Sequence, residues 1–231
     1  MRKFLNILFQ NWIKYGFETI VVTFGILGAF TLESWKDNRQ EEKELLEIYR
    51  TIADDLHTDA LALDTLLENY NWRIRTMYRI LTEDVSEEEW IKNDSLSNSF
   101  LGYLDFRESQ RGLELLNLKI TAGGEAGILA NRISNFYNVK LMDNSVSLRE
   151  LDDILFDNLK YWMANEVWLS SVLVDDDMVG LSKYVQDNPY FRNRLSAYLS
   201  LFTNHFRNLR RYKEEGTELA DEINAFLEND Q

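Results

Sequence analysis

The sequence contains no cysteine, which excludes disulfides, thiol nucleophiles and cysteine-ligated zinc or iron–sulfur centres. One proline and ten glycines in 231 residues are too few breakers for a turn-rich fold. Histidine is limited to His57 and His205, and no G-x-S-x-G, H-E-x-x-H, phosphate-loop or dinucleotide-binding pattern occurs. Positive charge is scarce as well. Lys and Arg total 25 against 39 Asp and Glu, a net charge of −14, so no basic face suits a phosphate backbone and nucleic acid is excluded as a partner. With 39 carboxylates, finding two near each other carries no information about acid–base chemistry. The expectation is a protein without catalysis, cofactor or metal. Aromatics at 13% argue against disorder, and few breakers with abundant Leu, Glu and Asn predict an all-α protein.

The chain is organised around Phe17 to Trp35, FETIVVTFGILGAFTLESW. Thr19 to Leu32 is free of charge, enough for about 21 Å of helix against the roughly 30 Å of a hydrocarbon core. Trp12, Ile13, Tyr15 and Phe17 extend the apolar length to a full span, and Trp12, Tyr15 and Trp35 fall where interfacial aromatic anchors belong. A signal peptide is the competing reading, but the exit Gly28-Ala29-Phe30-Thr31-Leu32 offers bulky residues where a cleavage site needs small ones. Residues 2–15 read as either an interfacial amphipathic helix or an extension of the span, with Gly16 as a joint between them. Residues 1–38 are thus an N-terminal amphipathic segment and transmembrane anchor, and 39–231 a helical extracytoplasmic domain. Arg2, Lys3 and Lys14 before the span balance Lys36, Arg39 and Lys43 after it, so the short-range charge bias does not orient it. The basic leading segment favours a cytoplasmic N-terminus.

Glu18 at the edge of the span is a candidate functional acid, with headgroup depth as the bland alternative. Gly25, Gly28 and Ala29 include a small-xxx-small pair that lets helices approach closely. Glu18 and Gly25 share a face, so the spans are expected to meet there as a homo-oligomer; alternatively a ring of Glu18 conducts ions.

Beyond the anchor, Leu45, Tyr49, Ile52, Leu56, Leu63, Leu66, Tyr70, Ile74, Met77 and Leu81 keep a helical period and predict one helix from about 39 to 82. His57, among Asp54, Asp55 and Asp59, reads as part of a solvated polar face. Ser86-Glu87-Glu88-Glu89 and Ser147-Leu148-Arg149-Glu150 are capping-box patterns that predict helix starts. Asn93-Asp94-Ser95 predicts another helix through Phe100 to Leu104. Thr121 to Gly127 reads as a helix–helix turn. Trp162 and Trp168 read as core, and Asp175-Asp176-Asp177 as a helix N-terminus. Asp187-Asn188-Pro189 predicts the start of a last long helix that carries Phe191, Leu195, Tyr198, Phe202, Leu209 and Ile223, with a bend at Gly216. The first and last long helices are expected to pack together.

Gly25-Ile26-Leu27, then Trp35-Lys36-Asp37-Asn38, then Ile52 and Asp55-Leu56, resemble an uncharacterised family of single-span membrane proteins common in Bacteroidota. Arg111-Gly112 through Asn131, Ile133 and Phe136-Tyr137 is similar too. Glu33-Ser34 departs from the amides that family more often carries. The resemblance implies anchoring in a Gram-negative inner membrane with the domain in the periplasm, and it implies no activity. Together these features predict a membrane-anchored, oligomeric helical scaffold or interaction protein whose expected partners are the lipid bilayer, its own copies and another envelope protein. The alternative is a signalling or ion-conducting element, or a ligand-sensing periplasmic domain.

Overall fold

The computed structural model describes residues 2–93, 95–119, 124–175 and 177–229. It is 88% helical, and no strand occurs among the described residues. The helices are α1 (Arg2–Thr82), α2 (Glu87–Lys92), α3 (Ser95–Asn98), α4 (Arg111–Asn117), α5 (Gly124–Asn165), α6 (Trp168–Asp175), α7 (Val179–Asp187) and α8 (Pro189–Asn229). The chain divides into two units, residues 1–48 and 49–231.

In the first unit the helical assignment passes through Gly16 unbroken, so the expected joint is absent. The second unit is a bundle. The apolar stripe of α1 is buried as its period predicts, with Tyr49, Ile52, Leu63, Tyr70 and Met77 all sealed from solvent. It packs against α8 in the opposite direction: Tyr49 meets Phe226, Tyr70 meets Phe202, and Arg192 donates to the Leu81 carbonyl at 2.5 Å. Helix α8 is antiparallel to α5 as well. Arg132 pairs with Glu222, Lys140 with Glu215, and Arg194 donates to Asn158. The expected pairing of the first and last long helices is therefore present.

The fourth member of the bundle is not a helix. Residues 99–110 form an irregular strap that runs back along α1 and leads into α4. Arg73 holds its start through the carbonyls of Asn98 and Gly102, and Tyr70 donates to the Leu104 carbonyl. Farther down, Asp59 accepts from the Ser109 backbone N–H at 3.0 Å, the Ser109 hydroxyl at 2.7 Å and the Tyr212 hydroxyl at 2.7 Å. Asp55 accepts from the Gly112 N–H at 2.9 Å and from Arg111 at 3.1 Å. These carboxylates replace the ladder that an irregular segment cannot form with itself, which is how its backbone tolerates burial. At Gly112 the approach is closest: an added Cβ would lie 2.5 Å from Ile52 Cγ1 and 2.9 Å from the Ile52 nitrogen.

At one end of the bundle an aromatic cluster ties the start of the strap, α6 and α7 to α5 and α8. Phe100 packs edge-on to Trp162 and Phe191 at 5.9 and 5.6 Å, and Trp162 lies 5.6 Å from Trp168. Such pairs contribute about 0.5–1.5 kcal/mol each beyond area burial. Trp162 and Trp168 are core, as expected.

Several local expectations need correction. Ser86 caps α2 as its box predicts, its hydroxyl accepting from the Glu89 N–H at 3.3 Å. Ser147 caps nothing. It lies in the interior of α5, where its buried hydroxyl donates back to the Asn144 carbonyl at 3.1 Å. The same four-residue pattern occurs there because the helix was already running. Helix α3 stops at Asn98, so Tyr103 and Leu104 belong to the strap. Helix α8 continues through Gly216, whose missing side chain admits Phe136 and Leu56 to 3.3 and 3.4 Å from where a Cβ would sit. Asp55 and Asp59 are buried, while Asp54 and His57 are exposed as expected. Asp177 accepts from the Val179 N–H at 3.0 Å ahead of α7, Asp175 ends α6, and Asp176 lies outside the described residues. So do Thr121 to Gly123 of the expected turn; Gly124 opens α5. Asn188 and Pro189 start α8 as predicted, the Asn188 side chain accepting from the Tyr190 N–H at 2.9 Å.

Candidate functional site

The first unit presents one feature, an apolar helix with nothing packed on it. Phe17, Ile20, Val21, Val22, Phe24, Ile26, Leu27, Phe30 and Leu32 are all exposed, Phe24 to 71%. The helix is long and apolar enough to cross a membrane, and none of its apolar window is buried. Thr23 and Thr31 each donate to the carbonyl four residues back at 2.7 Å, the back-bond that Thr58, Thr82, Thr203 and Thr217 also make in the bundle. Glu18, Gly25, Gly28 and Ala29 are exposed on this helix, and no side chain or backbone lies within 4 Å of a Cβ built at Gly25 or Gly28. Trp12 and Trp35 are exposed, and the Arg39 guanidinium sits 5.0 Å from the Trp35 ring. The side chain of Tyr15 lies outside the described residues.

The second unit holds a pocket of about 610 Å³ between the strap, α5 and α8. Asp105 to Glu108 supply one wall, Leu141, Asn144 and Leu148 a second, His205 and Leu209 the third. Three stretches far apart in sequence build it, and only the strap brings the first to the other two. The long-helix periods place Leu141, Leu148 and Leu209 inward; Asn144 and His205 share that inward stripe and are buried with it, at 4% and 2% exposure.

The Ser147 hydroxyl lies 3.1 Å from the Asn144 carbonyl and 2.9 Å from His205 Nδ1, and His205 Nε2 is buried without a partner among the described residues. Burial lowers the His205 pKa to about 4, opposed by the negative charges of Asp105 and Asp152, so the ring is neutral at pH 7. Asn144 donates its amide N–H to Glu108 at 2.7 Å, which fixes the other end as oxygen. Asn144 Oδ1 is likewise buried without a partner. The pocket wall carries two carboxylates at Asp105 and Glu108, the polar side chains of Gln110 and Ser145, and an apolar floor. Arg107 contributes the one cationic side chain to the wall; it is 93% exposed, 3.8 Å from Asp105.

None of these groups stands out in the sequence. An Asn and a His on the core stripe of two helices are the available signal, and nothing in spacing pairs them. No cluster of His, Asp and Glu with metal-ligand geometry occurs among the described residues. Comparison of the chain with protein families, with curated proteins and with solved structures finds no match in any of the three.

Proposed function

We propose that the chain is a single-span membrane protein of a bacterial envelope, and that it acts as a self-associating scaffold or interaction protein without catalysis. The observation that carries this is the bare apolar helix. Leaving Phe17, Phe24, Phe30, Leu32 and their neighbours in water would cost on the order of 10 kcal/mol relative to burial, against a typical total stability of about 5–15 kcal/mol. A bilayer removes that cost. The aromatic residues at both ends support the same reading. Self-association rests on the open face at Gly25 and Ala29, since in lipid small residues and polar contacts drive helices together where apolar area cannot. The buried carboxylates Asp55 and Asp59 hold the strap, a structural use that leaves them unavailable for acid–base work. The N-terminus is assigned to the cytoplasm and the bundle to the periplasm, as the basic leader and the resemblance to the Bacteroidota family suggest.

The test is the fractionation and oligomeric state of the full-length protein. It should resist alkaline extraction from membranes, and protease added to spheroplasts should digest the bundle. Gly25→Leu should loosen the assembly in mild detergent, while Thr23→Leu, which adds bulk to the opposite helix face, should not. A chain released by alkali overturns the anchor, a protected bundle overturns the orientation, and a monomeric wild type overturns the scaffold.

A further inference from the structure

We propose that a second pocket, between α1, the start of the strap and the end of α6, binds a small organic carboxylate on an apolar body. The pocket lies within the second unit, and the argument is independent of the membrane anchor. Its volume of about 640 Å³ falls within the range of small-molecule sites. Among the described residues Arg73 is the one charged side chain in the wall, in a chain of net charge −14; Asp94, next to Ser95 of the wall, lies outside them. Three lining residues hold the guanidinium at this wall. Its Nε donates to Asn69 Oδ1 at 2.9 Å, and its Nη1 donates to the carbonyls of Asn98 and Gly102. All three partners are uncharged. No carboxylate among the described residues pairs with Arg73, and Nη2 keeps both protons without a protein partner while not being sealed from solvent. Burial lowers the Arg73 pKa, opposed by Tyr198 and Tyr70 and by no acid. A half-buried charge is normally met by an opposite one, and the chain does not supply it here.

The wall decides the kind of anion. One guanidinium nitrogen is free and no second cation stands in the described wall, which suits a single negative charge better than a phosphate dianion. Trp72 and Leu173 line the same pocket and are exposed, so an arene or alkyl body gains contact that an inorganic anion cannot use. Gly102 borders the pocket with nothing within 4 Å of a Cβ built on it, so the space beside this carbonyl partner of Arg73 is open. The clamp on the strap is complete without Nη2, and an anion there engages the guanidinium without breaking it.

Six tryptophans make the test site-specific. Full-length protein in dodecyl maltoside micelles, labelled with fluorotryptophan, should give a fluorine signal for Trp72, assigned by its loss in Trp72→Phe. Titration with phenylpropionate should move that signal saturably. Trp12 and Trp35, exposed on the apolar helix of the first unit, register partition into the micelle and should stay in place. Phenylpropanol, phenethylammonium and inorganic phosphate should each bind at least roughly tenfold more weakly, as expected when the charge is removed, its sign reversed or the apolar body taken away. Arg73→Gln should weaken phenylpropionate by roughly tenfold or more and bring it level with the alcohol. If that variant does not fold, Gly102→Phe decides: it leaves Arg73 in place, fills the open space, and should weaken phenylpropionate by roughly tenfold with Tm unchanged. A Trp72 signal that does not saturate, or that moves in step with Trp12 and Trp35, overturns the proposal. Equal binding of acid and alcohol, equal binding of acid and phosphate, or unchanged affinity in the deciding variant does the same, because Arg73 would then be a clamp for the strap alone.

Discussion

Removing one oxygen from each of two tyrosines on α8 should have opposite consequences. Tyr198 and Tyr212 are both buried, with 0% and 1% exposure. Burial holds both phenols well above their usual pKa, so both are neutral donors across the accessible pH range. Tyr212 donates to Asp59 at 2.7 Å; Tyr198 OH has no partner. A hydrogen bond to a charged acceptor contributes about 1.5–3 kcal/mol, and a buried unpaired hydroxyl costs about 1–3 kcal/mol. Tyr212→Phe should therefore lose about 1.5–3 kcal/mol. Tyr198→Phe should be neutral or stabilising. For a chain of this size each kcal/mol moves Tm by roughly 2–4 °C, so Tyr212→Phe should melt roughly 3–12 °C lower. The assay is thermal and urea unfolding of the full-length protein in detergent, followed by near-ultraviolet circular dichroism and tryptophan fluorescence. Buried Trp90, Trp162 and Trp168 report the loss of packing. Combining Asp59→Asn with Tyr212→Phe in a double-mutant cycle isolates the pair from the rest of the strap. Equal losses in the two single variants would refute the reasoning, because they would mean that Tyr198 has found a partner, such as an internal water.

Two further outcomes follow from the same geometry. Gly112→Ala in α4 sets an intrinsic helix gain of up to about 1 kcal/mol against a Cβ pressed into the Ile52 backbone, so it should destabilise by about 1–3 kcal/mol; an unchanged or raised Tm would show that the strap yields there. His205 has a folded pKa of about 4 against 6.5 when unfolded, so its contribution is present in full above pH 6.5 and is lost as pH falls toward 4. Between pH 7 and pH 5 the loss should be roughly 2 kcal/mol, and His205→Leu should flatten that slope in urea titrations at fixed pH; the same slope in wild type and variant would assign it to the carboxylates.

Periodic signals carried the long elements. The α1 stripe from Tyr49 to Met77 and the α8 stripe from Phe191 to Ile223 are buried as their spacing requires, and Asn188-Pro189 starts α8 where the cap chemistry places it. Signals of a single residue or a four-residue motif misled where two physical causes share one pattern. A serine three residues before a glutamate caps a helix only if the chain is not already helical, and at Ser147 it is. At Gly216 the close approach of Phe136 and Leu56 is a tertiary fact that no single-residue signal carries. The strap had no periodic signal, because an irregular segment is defined by its partners. Those partners were nonetheless visible in part. Asp55 and Asp59 lie among Ile52, Leu56 and Leu63 at spacings that face the core, and charge on a core stripe demands a donor from elsewhere in the chain.

That demand accounts for the pocket. The side chains of Asp55 and Asp59 dock the strap on α1 only at Ser109 and beyond, and Tyr70 and Arg73 dock it only up to Leu104. Between these two fixings the strap must bridge the bundle without side-chain anchors to α1. A helix in this position would offer regularly spaced side chains to fill the groove between α5 and α8. Residues 105–108 cannot fill it in that way, and the space left over is the pocket that Asn144 and His205 line.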